Sequence, residues 1–258
     1  MSPGADPCGP LRFARFAYPP NALGYCGPDA HRDLLEHADA GVSDPDLRRL
    51  AAGFDGAWPW LELIAHANGI ADPLDARVVE AYWVGNGLLG RVRVAALGAS
   101  LEARFRDRLG TDWPWFADTV VHRPRPHHNF HVFAVTPWVG LLRGDGAAPA
   151  LEVLDRCRIR WGRVLTVDGD HAVVRTARLT WDGARLDLGP PTSEVATIAR
   201  DGYALTPVAP GDTVALHWDW VCERLDPRTS AALRRETAEQ LDLVNRRLAV
   251  SPLTAALG

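Results

Sequence analysis

The residues best able to do chemistry in this chain are its thiols and imidazoles. There are four cysteines, Cys8, Cys26, Cys157 and Cys222, and nine histidines. Thiolate sulfur and imidazole nitrogen together favour borderline-to-soft transition metals, and either can serve in nucleophilic or acid–base catalysis. Four of the nine histidines, His122, His127, His128 and His131, fall within ten residues. They follow alternating prolines (His122-Arg123-Pro124-Arg125-Pro126-His127-His128), which argue against regular structure there. Read as a strand, His128 to Val135 puts His128 and His131 on opposite faces, which weakens a metal site made from this segment alone. A set joining Cys26 to His127 or His131 stays open. So does a proline-stiffened surface loop with incidental histidines.

Cys26 sits in Gly24-Tyr25-Cys26-Gly27-Pro28, just before an expected helix. Backbone N–H groups at a helix N-terminus would favour its thiolate. That makes it a nucleophile or a ligand on one reading and a buried cysteine in a tight turn on the other. The enzyme reading pairs Cys26 with His128 or His131 as base. All 28 basic residues are Arg, so a lysine Schiff base and a P-loop lysine are excluded. The net charge of −4 lacks the basic surplus of a nucleic-acid-binding face. No run of apolar residues is long enough for a membrane span. The first residues lack the basic start and apolar core of a secretory signal, so the expected compartment is the cytoplasm.

The elements that must position these groups divide into two stretches. Residues 1–150 read as mainly helical, with starts at Pro28, at Asp44-Pro45, at Trp58 and at Asp72-Pro73, and one more helix over Val94 to Leu109. Phe130 to Leu142 reads as β-rich, interrupted by Pro137. Residues 151–258 read as a small β-barrel with a C-terminal helix. Ile159 to Val167, His171 to Trp181, Ala184 to Leu188 and Thr213 to Val221 are the expected strands, separated by Asp-Gly and Pro-Gly turns. On the last of these, Trp218 and Trp220 share a face, and Asp219 shares the opposite one with His217, where it is placed to orient the imidazole. Asp226 caps a helix whose buried face is Leu233, Thr237, Leu241, Val244 and Leu248. The fold class is α+β.

Three stretches of the second part carry a family resemblance. They are Cys157-Arg158-Ile159-Arg160-Trp161-Gly162-Arg163-Val164, then Val167 to Val174 with its Asp-Gly turn, then Gly211-Asp212-Thr213-Val214-Ala215-Leu216-His217 followed by the helix. In order and spacing, 157–248 resembles the small HypC-type chaperones of [NiFe]-hydrogenase assembly, which have an OB-like barrel. Tyr18-Pro19-Pro20-Asn21, Leu23 to Pro28 and His217-Trp218-Asp219-Trp220 make the whole chain similar to an uncharacterised actinobacterial family encoded beside uptake hydrogenase genes. The resemblance implies an iron-fragment chaperone or adaptor. Its cargo would be iron carrying cyanide and carbonyl ligands, and its partner a maturation scaffold protein or the hydrogenase large subunit. The family's essential Cys and His fall on Cys157 and His217. Here the Cys is internal rather than next to the initiator Met, and Trp161 replaces the family's Pro. Arg156, Arg158 and Arg160 are candidates to lower the Cys157 thiol pKa. A purely structural docking module is the remaining alternative.

Overall fold

The structure, a computed structural model, describes residues 8–109 and 125–250. His122, Trp113 and Trp115 lie outside the described residues.

The first helix, α1 (Gly9–Ala22), has Pro10 in its opening turn and Pro19-Pro20 near its end. A Pro-Pro pair ordinarily argues against a helix, and the sequence reading places no helix start before Pro28. Helix α1 is nevertheless the most deeply buried helix of the N-terminal part, with Phe13, Phe16 and Ala17 wholly enclosed. Helices α2 (His31–Ala40), α3 (Pro45–Ala52), α4 (Trp58–Ala67), α5 (Ala76–Trp83) and α6 (Val94–Leu109) follow. Their starts are set locally. The Asp44 carboxylate accepts from the N–H groups of Asp46 and Leu47, with Pro45 in the first turn, and Asp75 accepts from Arg77 N–H.

The segment expected to be β-rich is helical instead. His128–Phe130 forms one α-turn that continues as a π-turn over His131–Val135, and Pro137–Arg143 is 3-10. We call the first two the hook. Its apolar run is continuous rather than periodic, and such runs fit a buried helical turn as well as a strand. Helix α7 (Ala147–Cys157) comes next. Cys157 is therefore the last residue of a helix rather than the first of a strand.

Strands β1 (Arg160–Asp168), β2 (His171–Trp181), β3 (Leu186–Thr197), β6 (Thr213–His217) and β7 (Trp220–Arg224) form a barrel in the order β1-β2-β3-β7-β6. It closes through one parallel pair, Thr197 with Trp220. Strands β4 (Ala199–Arg200) and β5 (Tyr203–Ala204) make a separate small hairpin. Gly162 lets β1 and β2 approach closely, since a Cβ there would lie 2.4 Å from a methyl of Val174. The barrel interior is small and aliphatic: Val164, Ala172, Val174, Ala196, Val214, Leu216 and Val221.

The run Thr213 to Val221, expected as one strand, is the β6–β7 hairpin. Trp218 adopts a left-handed conformation (φ 53°) at its tip. Trp218 and Trp220 therefore do not share a strand face. Trp220 packs into the main core against Tyr18, with ring centroids 5.0 Å apart. Helix α8 (Pro227–Val250) ends the described chain. The Asp226 carboxylate accepts from Thr229 N–H at 2.6 Å, and all five residues of the expected buried face are buried.

The expected boundary near 150 falls inside α7. Side chains from both sides of it share one core, in which Phe16, Trp83 and Phe130 join Ile159, Ala215, Cys222 and Leu233. No helix among the described residues is long and apolar enough to cross a membrane.

A buried ion pair ties α1 to β7. Arg12 donates to both carboxylate oxygens of Glu223 at 2.9 and 2.8 Å, and both side chains are buried. Removing one partner of such a pair strands a charge away from water, at a cost of about 3–5 kcal/mol, whereas apolar replacement of both partners is often neutral. Arg12→Ala should therefore lower unfolding free energy in urea by about that amount. The double variant Arg12→Met/Glu223→Leu should recover most of the loss. Equal losses in the single and double variants would contradict this reading.

Candidate metal centre

Three donors from three parts of the chain converge. One nitrogen each of His128 and His217 and the Cys157 sulfur all lie within 4.8 Å of one another. His128 comes from the hook, Cys157 from the last turn of α7 and His217 from the end of β6.

Asn129 sets the position of the hook. Its side-chain oxygen accepts from Ile159 N–H at 2.9 Å, two residues after Cys157, and its amide donates to Thr237 Oγ1 at 3.0 Å on α8. His127 begins the turn by accepting from Asn129 N–H through Nδ1 at 3.0 Å. On the other side, Trp218 N–H donates to the Arg156 carbonyl at 2.7 Å, which holds the hairpin tip against the end of α7.

Backbone carbonyls decide the tautomers of both histidines, because a carbonyl only accepts. His217 Nδ1 lies 2.6 Å from the Phe16 carbonyl, so Nδ1 carries the proton and Nε2 the lone pair. That Nε2 is buried and has no hydrogen-bond partner. His128 Nε2 lies 2.9 Å from the Cys157 carbonyl, so its lone pair is on Nδ1, where the Tyr82 hydroxyl sits at 3.2 Å. An imidazole whose far N–H is held by a carbonyl is the usual arrangement of a metal-binding histidine. The expected role of Asp219 is not found. Its carboxylate pairs with Arg156, and the Phe16 carbonyl orients His217 instead. The tip turn is what swings Asp219 away.

The surroundings are apolar. The Trp83 ring lies 4.6 Å from His128 and 5.6 Å from His217, and stacks on Phe16. Desolvation therefore governs the protonation states. Burial pushes His128 down to about 4, and His217 well below its ordinary value, with the His128 charge the next cause. Burial pushes the Cys157 thiol up; Cys26 adds to this, and the Trp218 side chain opposes it. The carboxyl end of α7 also disfavours a thiolate while favouring a cation. None of the three arginines proposed to activate Cys157 is free to do so. Arg156 pairs with Glu152 and Asp219, Arg158 with Asp155 and Arg160 with Glu194. Without a metal the site is therefore neutral: two imidazoles and a thiol.

These donors fit a transition metal. One buried lone pair is unpartnered, one thiol becomes a thiolate on coordination, and the third donor is held by a single hydroxyl. The set suits Fe(II), Zn(II) and other borderline-to-soft ions better than Mg(II) or Ca(II).

Cys157 and His217, the pair expected from the sequence, are thus brought together. His128, expected only as a candidate base, joins them. The weaker candidates His127 and His131 do not. His127 Nε2 is buried without a partner, away from the set, and His131 accepts from the Trp60 indole through Nδ1 at 3.3 Å. His128 and His131 sit three residues apart on a helical turn, so they share a face, with rings 6.4 Å apart. The strand reading placed them on opposite faces. Among the described residues, no hydrogen bond joins Cys26 to a histidine. Cys26 also precedes α2 by five residues rather than opening it. The residue is exposed at the surface, and desolvation by the surrounding protein pushes its thiol up to about 12. Neither means of activating it as a nucleophile is in place. Cys222 is core. Asn129, Tyr82 and the Phe16 carbonyl had no signal in the sequence, because none belongs to a chemical motif.

Residues 5–251 match DUF6390, a family of unknown function. The chain belongs to this family. No curated protein and no solved structure matches it. All three donors lie within the DUF6390 match, as do Asn129 and Tyr82.

The buried histidines set the acid limb of stability in the metal-free protein. His127, His128 and His131 have folded pKa values of about 3, 4 and 3, against an unfolded value near 6.5. Their contribution is therefore complete above about pH 6.5 and is lost as pH falls from there toward 4–3. Each fully titrating histidine costs about 1.4 kcal/mol per pH unit. The Cys26 thiol, raised to about 12, costs stability only above about pH 8.5. Urea unfolding should show a plateau between about pH 6.5 and 8.5 and a steep fall below it. Replacing His131 by Asn should flatten the acid limb. Unchanged stability between pH 7.5 and 5 would contradict the burial of these rings.

Proposed function

We propose that this protein is an iron-fragment chaperone or adaptor in [NiFe]-hydrogenase maturation, with His128, Cys157 and His217 as its donors. The observation that carries the reading is the convergence of these three side chains from three distant segments, with His217 Nε2 buried and unpartnered. The resemblance of 157–248 to the HypC type supports the pathway, since its Cys and His are two of the three donors.

The chemistry suits a carrier. Low-spin iron with cyanide and carbonyl ligands is a soft acceptor, matched by thiolate and imidazole. Bound there, the fragment would draw the Cys157 proton away. Cys157 in turn prefers its protonated form, so a proton competes with the metal for the same sulfur. That competition favours handing the fragment on over keeping it. Trp83 and Phe16 give the donors an apolar wall. The recipient in this reading is the hydrogenase large subunit or a maturation scaffold, in the cytoplasm.

Infrared spectroscopy tests it. Protein purified without oxygen from cells with active hydrogenase maturation should show metal-bound cyanide and carbonyl bands. Cys157→Ala should abolish them, and His217→Ala should weaken metal retention by about tenfold or more, judged by iron content per chain. Circular dichroism checks that both variants fold. A wild-type protein without the bands, from cells whose hydrogenase is active, would overturn the proposal.

A further inference from the structure

The three-residue set leaves one position of a tetrahedral site unfilled, and the nearby Leu23–Pro28 segment, whose Tyr25 packs on Trp218, carries a second thiol. The strap Leu23–Pro28 joins α1 to α2 and is tied down at both ends. Asn21 donates through Nδ2 to the carbonyls of Cys26 and Pro28, both at 2.7 Å, and Tyr25 N–H donates to the Pro20 carbonyl at 2.9 Å. Gly27 has a φ of 81° and lies so close to the Phe54 ring that a Cβ would come within 2.3 Å of it. Only glycine lets the strap lie this low.

From these anchors the strap reaches Trp218, the residue after His217. The Tyr25 ring lies against that of Trp218, with centroids 4.3 Å apart, and Trp218 directly follows the ligand His217. Cys26, the next residue along, is close enough for its charge to bear on both Cys157 and Tyr82. Cys157 is a donor, and the Tyr82 hydroxyl occupies the lone pair of another, His128. Cys26 thus neighbours the centre through Tyr25 and Trp218. It stands outside the 4.8 Å cluster, so joining it requires the strap to close. An independent observation also points to a ligand here: His217 Nε2 is fully buried, unpartnered and within the cluster.

We propose that Cys26 is the fourth protein donor, delivered when the Leu23–Pro28 strap closes over a divalent first-row ion held by His128, Cys157 and His217. The inference rests on the metal-site reading above. The completed set is two sulfurs and two nitrogens, the tetrahedral preference of Zn(II)-like and Fe(II)-like ions. The step balances simply. Two sulfur–metal bonds form, two S–H bonds break, and both protons leave to solvent. The imidazoles are already neutral and release none. Opening the strap reverses only the Cys26 part, leaving an ion on three donors with a vacant position for an incoming ligand. The strap is then the gate through which an ion or fragment is exchanged.

Anaerobic titration of the full chain with Co(II), under reductant, tests this. Wild type should show sulfur-to-cobalt charge transfer from two thiolates, the strong visible bands of tetrahedral cobalt, and release of two protons per ion in weak buffer. Cys26→Ala and Cys26→Ser should each reduce the charge-transfer intensity to about half and the proton count to one, while still binding one ion. Cys157→Ala should lose binding. Wild-type signals retained in both Cys26 variants would overturn the fourth-donor role and leave the three-residue site standing. One thiolate in wild type would do the same. A wild type that binds no Co(II), or a Cys157→Ala protein that binds like wild type, would instead overturn the three-residue site itself, and this inference with it.

Discussion

The Asn129 side chain is the constraint on which the arrangement turns. It is fully buried and reaches two segments distant in sequence, the chain just past Cys157 and the C-terminal helix. An amide serves because it accepts at one end and donates at the other. Its oxygen satisfies the Ile159 N–H between α7 and β1, a group that belongs to neither element's hydrogen-bond ladder. Its nitrogen meets a threonine on the buried face of α8. An unsatisfied amide in that position would cost about 1–3 kcal/mol for each group left bare. The hook therefore has one low-energy seat, and His128 points from it at the Cys157 carbonyl. The loop before β1, the last turn of α7 and the C-terminal helix are thereby fixed relative to one another, and the donors with them.

What surrounds the donors is as important as where they are. Nearly every charged group near them is already paired with an opposite charge. Asp155 takes Arg158 and Arg178, Glu194 takes Arg160 and Asp219 takes Arg156. These pairs hold the ends of α7, β2 and the β6–β7 tip together. They also leave the centre without a net electrostatic bias, so desolvation decides protonation. A thiol kept neutral by burial is a poor nucleophile but an adequate ligand, because a cation supplies the missing stabilisation of its charge. The same dryness that argues against catalysis by Cys26 alone is thus compatible with metal chemistry.

The parts of this fold legible in the sequence were those with a local cause. Asp44-Pro45 and Asp226-Pro227 announce helix starts because the carboxylate caps the very N–H groups the helix leaves open. Leu233 to Leu248 announce a buried face because 3.6-residue spacing has no other use. The Asp168-Gly169 turn reads as a hairpin because glycine tolerates its positive φ of 53°. The parts not legible had tertiary causes. Pro19-Pro20 end a helix sustained by its burial against α2, α5 and β7. Phe130 to Leu142 is mostly apolar, with only His131 and Thr136 polar, so no period distinguishes a turn of helix from a strand. Thr213 to Val221 is broken by a left-handed Trp218, a conformation unusual for so bulky a residue, and held here by the Arg156 carbonyl and the Tyr25 ring.

That last misreading and the one at the hook share a lesson about the site. Cys157 and His217 could be paired from the sequence because the barrel strands bring the start of β1 beside the end of β6, as the pairing of Arg160 with Leu216 does. His128 lies outside the barrel, and its membership depends on a helical rather than extended backbone over a few residues. A period of two would place its neighbour His131 across the chain. A period near four places both on one side, facing α4, α5 and the donors together. The site is consequently a property of the junction, made by the helical half through His128, Tyr82 and Trp83 and by the barrel half through His217. The helix that joins the halves supplies the sulfur. A barrel of this kind without the helical half would keep His217 but lose the second imidazole, the apolar wall and the Phe16 carbonyl that fixes the His217 tautomer.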